Sequence, residues 1–149
     1  MPNLTEHFTL EELTVTSHRE FENIPNDAEI ANLQRLAEFL ETVKTVLGSK
    51  PIMINSAFRS KQVNDSVGSK DSSQHRVGCA ADIRVPSMTP DQVVKALIES
   101  GLPYDQLIRE FSDPVSGGGW CHVSIPNSPN QAPRKQVLII DKTGTRLYS

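Results

Sequence analysis

Two of the four histidines sit where chemistry could be done. His75 occurs in Ser73-Gln74-His75-Arg76-Val77-Gly78-Cys79-Ala80-Ala81-Asp82, where a histidine leads through a glycine turn into a strand carrying an aspartate. His122 occurs in Trp120-Cys121-His122-Val123-Ser124-Ile125. Alternate side chains of an extended segment share a face. Cys121, Val123 and Ile125 then face the core, and Trp120, His122 and Ser124 face the other way. Likewise Ala81, Ile83 and Val85 point in, and Asp82 and Arg84 point out. Two neighbouring strands in that phase set Asp82 beside His122, with His75 reaching over from its loop. Two imidazoles and one carboxylate form a complete protein ligand set for catalytic zinc, which keeps a fourth position for water. Zinc lowers the pKa of such a water to around 7, so hydroxide becomes available at neutral pH. The same residues also read as a loop histidine, an edge-strand charge and a surface imidazole, because the His75–Asp82 spacing is no compact metal motif and His122 is distant. His7 and His18, in the polar N-terminal region, read as surface residues.

Cys79 and Cys121 each lie near one of these residues, so a thiolate site has to be weighed. Parity turns Cys121 into the core and Cys79 sits in the turn after Gly78, which makes both small buried thiols rather than ligands. Gly117-Gly118-Gly119 lacks the helix start that a phosphate-binding loop needs, and reads as a hairpin tip.

The elements that must position these groups are marked by their ends. Thr9 and Glu12 form a capping box, with Phe8 and Leu13 as its hydrophobic staple, and predict a first helix. Asn26 and Glu29 repeat the box ahead of Ile30, Leu33, Leu36, Ala37, Leu40, Val43 and Leu47, an apolar stripe at three- and four-residue spacing. Gly48 ends that helix and Pro51 forbids its continuation. Thr89-Pro90-Asp91-Gln92 starts a third helix, which stops at Gly101. Residues 60–74 are polar and serine-rich, a long loop with room for a short helix. Strand-length runs cover 52–56, 80–85, 105–111, 120–125 and 137–140. Asp141-Lys142-Thr143-Gly144-Thr145 is a turn into Arg146-Leu147-Tyr148, which predicts a terminal hairpin. Asn127 to Arg134, with Pro129 and Pro133, reads as a surface loop. Helices first and strands later point to an α+β fold with a small antiparallel sheet and helices packed on one face.

Composition bounds the rest. At roughly 150 residues per domain, 149 residues make one domain, 1–149, able to bury a core without staples. The content is 37% hydrophobic and 22% charged, which is globular rather than disordered. Fifteen basic against eighteen acidic residues give a net charge of −3, which argues against a nucleic-acid partner. No polybasic run and no stretch approaching about 18 apolar residues is present, so membrane insertion is not expected. Two cysteines make no disulfide framework. The N-terminus has neither a basic start nor an apolar core, so a chain made in the cytoplasm without a signal peptide is expected.

The string Ser73-Gln74-His75-x-x-Gly78-x-Ala80-Ala81-Asp82, followed by Trp120-x-His122-Val123-Ser124, resembles the zinc site of the Hedgehog/DD-peptidase superfamily. That group includes D-alanyl-D-alanine carboxypeptidases and dipeptidases and the phage and bacterial L-alanyl-D-glutamate endopeptidases. Phe8-Thr9-x-x-Glu12-Leu13, Ile54-Asn55-Ser56-Ala57-Phe58-Arg59-Ser60 and Asp105-Gln106-Leu107-Ile108-x-Glu110 extend the likeness, in order, toward the small phage-type members. The resemblance makes His75, Asp82 and His122 the ligands of Zn2+. It makes Arg59 the arginine that faces the substrate carbonyl or carboxylate, where a fixed guanidinium contributes about 3 kcal/mol to a developing oxyanion. Ser73 then hydrogen-bonds substrate or orients His75, or simply holds a turn.

The pattern departs from the better-known members at one position. They carry the catalytic acid/base three residues before the last histidine, which here is Gly119. The phage-type pattern puts a glutamate at the end of the preceding strand, which is Glu110, with Asp113 as a nearby rival that precedes Pro114. The resemblance thus implies a monomeric zinc metallopeptidase cutting an amide bond in the peptide stem of bacterial peptidoglycan, as endolysins do after release through a holin. Two alternatives stay open: a D,D-carboxypeptidase or dipeptidase of the same superfamily, in which Arg59 takes a free C-terminal carboxylate, and a catalytically inert, zinc-stabilised binding module.

Overall fold

A computed structural model describes residues 3–113 and 118–148, with Asp113 described by its backbone alone. Of the expected tip Gly117-Gly118-Gly119, Gly117 lies outside the described residues, while Gly118 and Gly119 belong to a strand, Gly118–Ser124. The helix that the Asn26–Glu29 box starts is α1, Asp27–Val46, and both reciprocal bonds of the box are made. The helix from Thr89 is α3, Pro90–Ser100, with the same reciprocal box and Gly101 in the left-handed conformation at its end. Between them lies the short α2, Lys61–Ser66, capped by Ser60. No helix among the described residues is long and apolar enough to cross a membrane.

The expected first helix is only a 3₁₀ turn, Glu12–Thr14. Thr9 and Glu12 do exchange their capping bonds, and Phe8 and Leu13 are buried. The chain then leaves in an extended conformation at Val15. Thr14, Val15 and Thr16 are all β-branched, which disfavours carrying the helix on, and the Thr14 hydroxyl bonds back to the Leu10 carbonyl.

Six strands form one sheet: β1 Met53–Ser56, β2 Ala80–Arg84, β3 Gln106–Asp113, β4 Gly118–Ser124, β5 Gln136–Asp141 and β6 Gly144–Leu147, in the order β1-β2-β4-β3-β5-β6. The fold is α+β, but the sheet is mixed rather than antiparallel throughout. β5 runs parallel to β3, with Ile108 opposite Leu138 and Glu110 opposite Ile140. The loop after β4 carries the chain back past β3's start, where the Gln136 amide donates to the Asp105 carbonyl, so β5 enters from the same end as β3.

One face of the sheet is the core. Leu33, Leu36, Leu40 and Val43 of α1 and Val93, Val94 and Leu97 of α3 pack with Ala81, Ile83, Leu107, Cys121 and Val123. The alternate positions of the three central strands, Asp82, His122, Ile108, Glu110 and Trp120, therefore project from the opposite face. The 3₁₀ turn Gln74–Val77 packs beside β2, and α2 packs against that turn.

Candidate active site

The β2–β4 register sets Asp82 directly opposite His122, the juxtaposition that strand parity predicts. His75 comes from the 3₁₀ turn, and that turn is fastened on every side. Ser73 caps it by accepting the His75 amide proton at 3.2 Å. Gly78 ends it with φ of +82°, and a Cβ there would press on the Glu29 carbonyl and the Leu33 side chain of α1. Asn32 of α1 donates to the Val77 carbonyl at 2.9 Å and Arg76 pairs with Glu29 at 2.8 Å. On the far side the Gln74 amide group donates to the Ile125 carbonyl at 2.8 Å and to Asp105 at 3.1 Å.

Asp82 Oδ1 lies 3.3 Å from His75 Nε2 and 3.1 Å from His122 Nδ1. The two rings meet nearly edge-on, 5.1 Å between centroids. All three side chains are buried. His75 Nδ1 lies 2.7 Å from the Ala57 carbonyl, which can only accept, so Nδ1 carries the ring proton and Nε2 presents its lone pair to Asp82. Burial pushes the His75 imidazole down, toward its neutral form, against the pull of Asp82. Burial works to raise the Asp82 carboxyl too, but the His75 and His122 imidazoles outweigh it and hold it well below the usual carboxylate range. His75 Nε2 and the Asp82 oxygen can share one positive charge between them, a proton or a metal ion. The three ligand atoms lie within 4.8 Å of one another. The 3.3 Å separation matches the edge of a tetrahedron with bonds of about 2.0–2.1 Å, and the 3.1 Å one is slightly shorter than that edge. This donor set fits a zinc ion.

Around these residues is an open cleft of about 230 Å³ lined by Arg59, Ser69, Ser73, His75, Asp82, Ile108, Glu110, Trp120 and His122. Every site residue expected from the sequence, with the rival Asp113 set aside, is among them. Arg59 follows β1, its backbone N–H donating to the His75 carbonyl at 2.9 Å. Its Nη2 is 3.3 Å from Asp82 Oδ2 and its Nε donates to Ser56 Oγ at 3.0 Å, so the guanidinium is held from two directions. Burial lowers its pKa from the usual arginine value, while Asp82 and Glu110 work to raise it. Glu110 enters from β3, half-buried, and accepts from the Trp120 indole at 3.0 Å. Burial and the neighbouring Asp82 charge push its pKa up. Asp113 closes β3, and its side chain lies outside the described residues.

Both cysteines are buried and reduced. Burial pushes both thiols up, away from the thiolate a metal needs, and the metal-competent group among the described residues is His75, Asp82 and His122 without either. Three contributors escape the sequence reading. The Ala57 carbonyl and Ser56 are reached only through the pairing of β1 with β2, though the Ser56-x-x-Arg59 spacing was a signal. Strand parity puts Trp120 on the face of the site, but nothing in its residue type or spacing assigns it a role there.

A family model described as Peptidase M15 matches residues 6–116, well over half of the chain. The match takes in Arg59, Ser73, His75, Asp82 and Glu110 and ends before β4, which supplies His122. No curated protein matches the chain. With its motifs folded into one cleft, the chain belongs to the peptidase M15 family, of the Hedgehog/DD-peptidase type.

Proposed function

We propose that the protein is a zinc-dependent peptidase that hydrolyses an amide bond in the peptide stem of bacterial peptidoglycan. The observation that carries this reading is the common cleft: Arg59 and Glu110 face the same opening as the His75–Asp82–His122 group. His75 through Nε2, His122 through Nδ1 and Asp82 would hold the zinc. Bound there, zinc supplies a Lewis acid that polarises the scissile carbonyl and lowers the pKa of the attacking water.

The chain's own residues do the remainder. Glu110, whose surroundings favour proton uptake more than an exposed glutamate's do, takes a proton from water as the new C–O bond forms. It returns that proton to the nitrogen as the C–N bond breaks, so a carboxylate and an amine leave. Arg59, braced by Ser56 and Asp82, faces the charge that grows on the carbonyl oxygen. Ser73 keeps His75 in place by capping its turn. An inert binding module has no use for a desolvated carboxylate and a braced guanidinium in its cleft, and Glu110 and Arg59 are what favour catalysis.

The test is to digest purified peptidoglycan with zinc-loaded protein and identify the new termini by mass spectrometry. A new amino terminus inside the stem supports an endopeptidase. Release of the terminal D-alanine alone supports a carboxypeptidase, and no release of either kind refutes the reading.

A further inference from the structure

We propose that Trp120 is a positioning residue for Glu110, and that the bulge between β3 and β4 exists to bring the two together; this rests on Glu110 being the proton carrier proposed above. Glu110 and Trp120 are direct cross-strand partners. An indole N–H only donates, and the Trp120 Nε1 donates to Glu110 Oε2 at 3.0 Å. With Oε2 pinned, the other oxygen is the one presented to the cleft. A glutamate side chain has three rotatable bonds, and a carboxylate fixed at one oxygen no longer samples the rotamers that would carry it out of reach.

The backbone beside this pair is unusual in a way that serves it. The register of β3 against β4 slips between Glu110 and Asp113, an inserted residue on the β3 side. Phe111 takes up the slip with φ of +52°, a left-handed conformation rare for an aromatic residue. Gly119 opposite it has φ of +91°, and a Cβ there would overlap the carbonyl oxygens of Glu110 and Phe111. Phe111, 45% exposed, turns its ring onto Trp120, with centroids 5.5 Å apart and planes at 37°. The indole is thus wedged between an aromatic ring and the carboxylate it holds.

The chain has one tryptophan, so its indole N–H gives a single NMR resonance that reports on the contact. In the zinc-loaded protein, Glu110→Ala should move that resonance upfield. Trp120→Phe keeps the ring against Phe111 but removes the donor. It should lower kcat on peptidoglycan roughly tenfold, leave KM within about threefold and leave the metal content unchanged. In the Glu110→Ala background the same substitution should cost nothing further. An indole resonance indifferent to Glu110→Ala overturns the proposal. So does a Trp120→Phe loss that is equal with and without the Glu110 side chain, which would mean that Trp120 meets the substrate itself. The resonance test is read on an intact tryptophan, so it decides the matter even if Trp120→Phe folds poorly. If the wild type leaves peptidoglycan uncut while the resonance still responds, the reading of the reaction fails and the Trp120–Glu110 pairing stands.

Discussion

At the residue scale the site is a set of acceptors gathered where water is scarce. Asp82, His75 and His122 bring a carboxylate and two ring nitrogens to one buried point, and Arg59 offsets part of that negative charge from the side of Asp82 Oδ2. Glu110 stands outside this group, close enough to feel Asp82 and held by a different donor. Its role as proton carrier is therefore separable from metal binding. Glu110→Gln keeps the shape and removes the proton acceptor, so turnover should fall on the order of a hundredfold or more while bound zinc is retained. Parallel measurement of zinc content and wall-lytic rate checks this. Much of the site was legible because parity needs only a strand's phase: once 80–85 and 120–125 read as strands, Asp82 and His122 had to share a face. The Ala57 carbonyl that fixes the tautomer of His75 was not legible, since a backbone group belongs to no motif and its role depends on where β1 ends against a turn distant in sequence.

At the element scale, helix starts were readable where a capping box was followed by a long apolar stripe, as at Asn26 and Thr89. At Thr9 the box formed and the helix did not, because the β-branched residues that follow prefer extended backbone and leave the box a single turn to close. The β3–β4 bulge is the element on which the proton carrier depends, and Gly119 is where it is most exposed to change. An alanine there must hold a left-handed conformation, which costs about 1–2 kcal/mol, and must also push two carbonyls aside. Gly119→Ala should accordingly lower the denaturant midpoint and, by displacing Glu110, reduce activity by more than the loss of stability explains. Unfolding curves and rates measured at a temperature where the variant is fully folded distinguish the two effects.

At the scale of the whole molecule, Asp105 joins what the sheet alone would leave separate. Its carboxylate is buried and accepts from the Arg134 backbone and guanidinium and from Gln74, tying the loop after β4, the head of β3 and the turn of His75 together. Burial works to raise its pKa, but the Arg134 and Gln74 bonds outweigh it and hold the carboxyl below its ordinary value. A carboxylate with a depressed folded-state pKa contributes stability that is fully present above its unfolded value of about 3.9 and is lost as the pH falls through the lower folded value. Asp105→Asn should therefore destabilise the protein by about 1.5–3 kcal/mol at neutral pH. The gap between variant and wild type should narrow in acid below about pH 4. Denaturant melts across that range check the sign. The parallel pairing of β5 with β3 was the global feature beyond reach of the sequence. Strand runs carry alternation but no direction, and the direction here is set by where a proline-containing loop delivers the chain.

The central claim is that a turn and two strands assemble one metal centre from His75, Asp82 and His122. The most direct measurement is elemental analysis of purified protein, wild type and His122→Ala, after zinc loading and dialysis. His122 is the sharpest probe because it lies beyond the family match and is joined to the others only by the fold. About one zinc per wild-type chain is expected, and essentially none in the variant. A wild type that holds no zinc, or a His122→Ala protein that keeps a full complement, would contradict it.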